Sequence, residues 1–129
     1  DFKFDTYHID GRTIVIATVP PSVKRPVCAL DEEGNKRAYI RIADENIVAS
    51  PVHLALWREL QKPQGIMLTY DDNIRKLLRI MEARRQTLNQ IVSLSRIPRF
   101  KVISLLARLI RFGTVRCDYT GQQFLFSLI

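Results

Sequence analysis

Residues 95–113 read SRIPRFKVISLLARLIRFG, and this stretch decides the fold. Pro98 suits the first position of a helix, where its missing N–H costs nothing, and Gly113 suits the left-handed residue that ends one. Between them, Val102, Ile103, Leu106, Leu109 and Ile110 recur at helical spacing and form an apolar stripe. Lys101, Ser104, Arg108 and Arg111 stand three, four and three residues apart, which predicts a second, polar stripe facing outward. Immediately upstream, Ser95-Arg96-Ile97 reads as a tight turn.

Working back from that turn, Thr87 can cap a helix over about 88–94, with Leu88, Ile91 and Val92 inward. Before it, Asp71 or Asp72 can cap a helix running to about Arg84, with Ile74, Leu77, Leu78 and Met81 at core spacing. Working forward from Gly113, residues 114–118 and 122–128 read as strands joined around Tyr119-Thr120-Gly121. Two helices about a tight turn, then a β-hairpin, is the plan of a winged helix-turn-helix.

The charge distribution agrees with that plan. Residues 1–65 hold nine Lys/Arg and nine Asp/Glu, while residues 66–129 hold eleven Lys/Arg against Asp71, Asp72, Glu82 and Asp118. The formal charge of +7 therefore belongs to the second half. A field that one-sided attracts polyanions. The start of the last helix, Arg99-Phe100-Lys101, is expected nearest the base edges, since arginine can bond guanine bidentately. Ser104 is expected to reach phosphate or base, Arg108 and Arg111 to make phosphate contacts that position without specifying, and Arg84, Arg85 and Arg96 to touch phosphate. In the hairpin, Arg116, Tyr119, Thr120, Gln122 and Gln123 are expected to meet backbone or minor groove. Phe100 is an aromatic at an exposed position, and docking against a protein partner is the competing reading for it.

The first half reads as β. Residues 2–9 look extended, Asp10-Gly11 is a two-residue hairpin signal, and residues 13–19 are β-branched and apolar enough for a buried strand. Pro20-Pro21-Ser22 stops that strand. A short strand is expected over 26–30, a turn over 31–36, and then a strand over 37–42. That last strand turns Ala38, Ile40 and Ile42 inward and Tyr39 and Arg41 outward. Asp44-Glu45 reads as a solvated turn or helix start. Ser50-Pro51 opens a helix to about Leu60, with Val52, Leu56 and Leu60 on one side, and Pro63-Gln64-Gly65 ends it.

Catalytic patterns are not found. Gly34 and Gly65 are isolated, so no glycine-rich phosphate loop exists. His8 and His53 lack an acid or cysteine companion, and Cys28 and Cys117 stand at no metal spacing. Both thiols read as reduced packing residues of a cytoplasmic protein, and no cofactor or metal is expected. No apolar run approaches the roughly 20 residues of a membrane span. The chain begins at Asp1, which suggests a segment of a longer protein.

The order of segments in the first half resembles a known family. GRTIVIATVPPSVKRPV, a turn, KRAYIRIADENIVAS and then a helix are similar to the C-terminal part of the AlbA-like DNA-binding domain. That domain occurs in Schlafen-like proteins and in bacterial regulators of the divergent AAA, ATP-binding group. The matching pieces are residues 13–19, Val19-Pro20, Arg25-Pro26 before a strand, and Tyr39-Ile40-Arg41 before a polar turn. A winged helix behind such a domain is also familiar there. The family's upstream Glu-Phe-Lys strand and its Asn-Thr-x-Gly-Gly turn are missing here. Its nuclease carboxylates and nucleotide-binding role therefore fall on no residue of this chain. The resemblance implies Arg25 and Arg41 as nucleic-acid contacts, with salt bridges to Asp31, Glu32 or Asp44 as the competing reading.

The expectation is an α+β chain. A partial AlbA-like β-rich domain over 1–62 and a linker over 63–70 precede a winged helix-turn-helix domain over 71–129. The expected function is a DNA-binding transcriptional regulator, with duplex DNA as partner, no membrane, and a homodimer formed over an open sheet edge. The alternatives are a nuclease or nucleotide hydrolase whose active site lies upstream, and a protein-interaction or dimerisation module.

Overall fold

The computed structural model describes residues 2–63 and 67–129, and its architecture is α+β. Gln64 and Gly65, expected to complete the linker, lie outside the described residues.

The first half is a chain of hairpins. Strands β1 (Lys3–Ile9) and β2 (Arg12–Thr18) pair antiparallel, with Ile9 opposite Arg12 and Lys3 opposite Thr18. The turn between them is the one the sequence predicts. Asp10 and Gly11 both take positive φ, 51° and 74°, the primed geometry that matches strand twist. The burial prediction for this strand does not hold, because every residue of β1 and β2 is exposed. A two-stranded ribbon has two open faces, and no other described element packs on either one. β-branched sequence set the strand but could not supply a layer to cover it.

The strand expected over 26–30 shrinks to β3 (Ala29–Leu30), paired with β4 (Lys36–Arg37). Asp31 Oδ1 closes their turn by accepting from the amides of Glu33 and Asn35. Those bonds, led by Asn35, hold its carboxyl below the usual range. β5 (Tyr39–Ile42) turns Ile40 and Ile42 inward and Tyr39 and Arg41 outward, as the alternation predicts, and Ala38 before it is buried. It pairs with β6 (Glu45–Val48), a strand not predicted. The turn between them places Ala43 at φ 52°, a conformation alanine rarely takes, so no glycine or asparagine announced it.

Four helices follow among the described residues. α1 (Pro51–Leu60) is capped by Ser50, whose hydroxyl accepts from the His53 amide. α2 (Asp72–Ala83) is capped by Asp71, and α3 (Leu88–Ser95) by Thr87 in a reciprocal box with Gln90. α4 (Arg99–Phe112) starts after Pro98 and ends at Gly113, at φ 88°. Arg96 makes the α3–α4 turn at φ 57°. The closing hairpin joins β7 (Val115–Thr120) to β8 (Gln123–Leu128). Its turn falls on Gly121 and Gln122, both at positive φ, so β7 runs two residues further toward the tip than expected while β8 starts one residue later.

One core joins these last elements: Ile74, Leu77 and Met81 from α2, Leu88 and Ile91 from α3, Val102, Leu106 and Leu109 from α4, and Val115 and Phe126 from the hairpin. Val52 of α1 belongs to the same cluster, with Ala55 and Leu56 packed on it. The core therefore does not stop at the boundary expected near residue 63. α1 is part of the second half's packing.

A backbone bridge fastens the hairpin to the helices. The Gln86 amide donates to the Phe126 carbonyl at 3.0 Å, and the Phe126 amide returns the bond at 2.7 Å. The Gln86 side chain is buried and its Oε1 accepts no hydrogen bond. Replacing that carbonyl by a thioether of similar shape removes an unpaired acceptor without opening a cavity. Gln86→Met is expected to stabilise the chain by about 1 kcal/mol. A urea melt of both proteins checks this, and a loss of stability would refute it.

Candidate nucleic-acid interface

The polar stripe of α4 is not the free ridge that the spacing predicts. Lys101 and Ser104 are exposed, Arg108 is half-buried, and the Arg111 side chain retains 14% of its accessibility. Arg111 donates to the Glu59 carbonyl and, at 3.3 Å, to the Lys62 carbonyl; its Nη1 lies 3.9 Å from Glu59 Oε2. Arg108 Nη2 donates to the Met67 carbonyl at 2.9 Å. Two of the four residues thus hold α1 and the segment behind it, and Ser104 lines the cleft beneath α1.

The physical reason lies in the breadth of the apolar face. At 100° per residue, Phe100, Ile103, Ala107 and Arg111 fall within a sector of about 80°, beside the core stripe. Ala107 is fully buried. A helix with one covered side does not need apolar residues there, so the extra width of the stripe was the signal that a second element covers α4.

α1 also reaches the hairpin. The His53 ring lies 4.8 Å from Phe124, which stacks 5.0 Å from Tyr119. His53 Nδ1 accepts from the Ser50 amide at 3.3 Å and sits 2.7 Å from its hydroxyl. Burial pushes the His53 pKa down from its ordinary value. Protonation would turn that acceptor into a donor and place a cation at a helix N-terminus. A depressed folded-state pKa means the unfolded chain binds the proton more tightly. This contribution is therefore complete above about pH 6.5 and is lost as pH falls through the lowered pKa. Urea midpoints measured from pH 7.5 downward are expected to fall in that window for the wild type. The His53→Ala protein should lack that component.

The remaining predicted contacts divide. Arg116 pairs with Asp118 at 3.0 Å, so it brings no net charge to the hairpin, and Tyr119 is half-buried against Phe124. Thr120, Gln122 and Gln123 are exposed near the tip. Arg41 is exposed and donates to Asn46 Oδ1 at 3.0 Å, while Asp31 pairs with Arg37 instead, at 3.3 Å. Arg25 is exposed, and its carbonyl accepts from Gln61 Nε2. Neither Arg25 nor Arg41 lies on α2, α3 or α4. Cys28, expected to pack, is exposed; Cys117 is half-buried, and burial together with Asp118 pushes its thiol up to about 12.

What the structure does bring together is a band of cations on α2, α3 and the turns beside them. Lys76, Arg79 and Arg96 line a depression of about 340 Å³ with Ile80 and Leu94. Arg84 lines a second, of about 330 Å³, with Asn89, Gln90, Ser93 and the same Leu94. Asn89 then accepts from Arg99 Nη1 at 2.6 Å, which carries the band to the start of α4. Arg85 and Lys101 are exposed close by in sequence. Among the described residues, no carboxylate lies within ion-pair distance of Lys76, Arg79, Arg84, Arg85, Arg96, Arg99 or Lys101. Arg75 differs: it approaches Asp72 at 3.8 Å and stands over Tyr70.

Lys76 and Arg79 were not singled out from the sequence. The signal was present, because both lie off the Ile74–Leu77–Met81 core stripe of α2. Among the described residues, no His, Cys, Asp and Glu side chains gather in a group that could hold a metal ion, and no helix is long and apolar enough to cross a membrane. No protein-family model matches the chain, and neither a curated protein nor a solved structure matches it.

Proposed function

We propose that the chain binds nucleic acid, duplex DNA in the first instance, as a winged helix-turn-helix regulator. In this reading α3 and α4 are the helix-turn-helix and β7–β8 is the wing. The observation that carries it is the band from Lys76 and Arg79 through Arg84 and Arg96 to Arg99: exposed cations with no carboxylate within ion-pair distance among the described residues. Exposed, unpaired arginine and lysine are what phosphate contacts require, and they position a protein on a duplex without reading its sequence. Base contacts fall to Arg99 and Lys101, since Arg108 and Arg111 are engaged by the backbone carbonyls of Met67, Glu59 and Lys62. The partial AlbA-like identity of the first half rests on its segment order alone.

Fluorescence anisotropy with a labelled random-sequence duplex tests the proposal. If about six phosphates are neutralised, affinity should fall about 1,000-fold between about 50 and about 200 mM salt. The absence of binding at the lower salt, or binding indifferent to salt, refutes it.

A second copy is the partner that the β1–β2 ribbon favours. It exposes Phe4, Tyr7, Ile9, Ile14, Val15 and Ile16, and neither edge is paired with another described strand. Such a ribbon invites strand pairing with an identical one. Sedimentation should then show a dimer that Ile14→Lys with Ile16→Lys converts to monomer, and a wild-type monomer would remove this reading.

A further inference from the structure

The seam between α1 and α4 is packed at one end and open at the other. Arg111 and Glu59 close it near the end of α4, whereas near the start of α4 it widens into a cleft of about 510 Å³. That volume lies in the range of small-molecule sites. Leu54, Ala55 and Ile103 form an apolar floor, and Phe100 stands at the lip with 75% of its surface exposed. The rim is charged: Arg58 is exposed with no side-chain partner among the described residues, and Lys62 pairs with Glu59 at 2.8 Å. Among the described residues that line the cleft, Glu59 is the one carboxylate beside Arg58 and Lys62, so the lining keeps an excess of positive charge. The exposed Ser104 adjoins the floor, and its hydroxyl has no partner among the described residues.

From this arrangement we infer that the α1–α4 cleft is a binding site for a small organic anion, one with a flat apolar or aromatic body and a single carboxylate or sulfonate. The body lies on Leu54 and Ile103 and covers Phe100, which otherwise leaves an aromatic face in water. The acid group meets Arg58 at the rim, with Ser104 as a neutral donor. A nucleic-acid phosphate suits the site less well, because the floor is concave and apolar while the cation band on α2 and α3 lies elsewhere. This inference does not rest on the nucleic-acid reading.

Anilinonaphthalene sulfonate is a probe of this class, and the test is an amide-shift titration of the isotope-labelled full chain. Saturable shifts should centre on Leu54, Ala55, Ile103 and Ser104. Arg58→Glu reverses a rim charge without touching the core and should weaken binding about tenfold. Ser104→Phe fills the cleft from an exposed position and should abolish the saturable shifts. If that variant does not fold, the Arg58→Glu comparison decides alone. Shifts centred on Phe4 to Ile16, or equal affinity in wild type and Arg58→Glu, would overturn the assignment. So would displacement of the probe by duplex DNA together with an equal loss of DNA affinity in Arg58→Glu.

Discussion

Reversing three charges, Arg79→Glu, Arg84→Glu and Arg96→Glu together, is expected to weaken duplex binding by about 100-fold or more near 100 mM salt. Each arginine is exposed, and among the described residues none of the three side chains makes a hydrogen bond or ion pair, so the change acts on the partner rather than on the fold. Exposed substitutions of this kind shift stability by about 0.5 kcal/mol or less. An unchanged urea midpoint beside a collapsed affinity is therefore the expected pair of results. Anisotropy and urea melts on the same preparations provide both. A triple variant that binds as tightly as wild type would place the interface elsewhere. Arg111→Ala makes the useful contrast. It removes one of the two cations beside the largely buried Glu59, together with the bonds to the Glu59 and Lys62 carbonyls, and is expected to cost about 2 kcal/mol of stability.

The largest effect on folding is expected from Phe126→Ala. Phe126 is fully buried where β8 meets α2 and α3, and its backbone carries both bonds to Gln86. Truncation removes a ring from a close-packed site and leaves a cavity, at a cost of about 4 kcal/mol. Set against a total stability of about 5–15 kcal/mol, that leaves the helices and hairpin marginal. Phe4→Ala removes the same ring from the exposed β1 and should change stability by about 0.5 kcal/mol or less. Urea denaturation of the two variants separates the cases, and equal losses would contradict the placement of the core.

The difference between these two phenylalanines also shows what the sequence could convey. Local chemistry was legible. Ser50, Thr87 and Gly113 marked helix ends where the structure has them, and of the pair Asp71 and Asp72 it is Asp71 that caps α2, because each cap satisfies backbone groups within a few residues. Asp10-Gly11 marked its hairpin for the same reason. Where a turn used an atypical residue, as at Ala43, β6 went unseen. Burial was less legible, since it depends on a partner layer that periodicity does not name. Residues 13–19 read as a buried strand, yet among the described residues no layer covers either face of β2, whose residues are all exposed. Conversely, α4 reads as a helix with one buried side, yet α1 lies along a second.

The candidate site follows the same division. That the second half is basic could be counted, but which cations stay free depended on packing. Arg108 and Arg111 share the spacing of Lys101, yet they are consumed by the carbonyls of Met67, Glu59 and Lys62. Arg116 is neutralised by Asp118, two residues away on the same face of its strand. Lys76 and Arg79, which merely faced away from a core stripe in the sequence, remain available.

The account depends on the α2–α3 band, rather than the α1-facing side of α4, being the surface that meets a polyanion. Amide shifts recorded while a short duplex is added to the isotope-labelled chain test this most directly. The account predicts that they gather on Lys76, Arg79, Arg84, Leu94, Arg96 and Arg99. Shifts confined to Ile103 through Arg111, or to the β1–β2 ribbon, would contradict it.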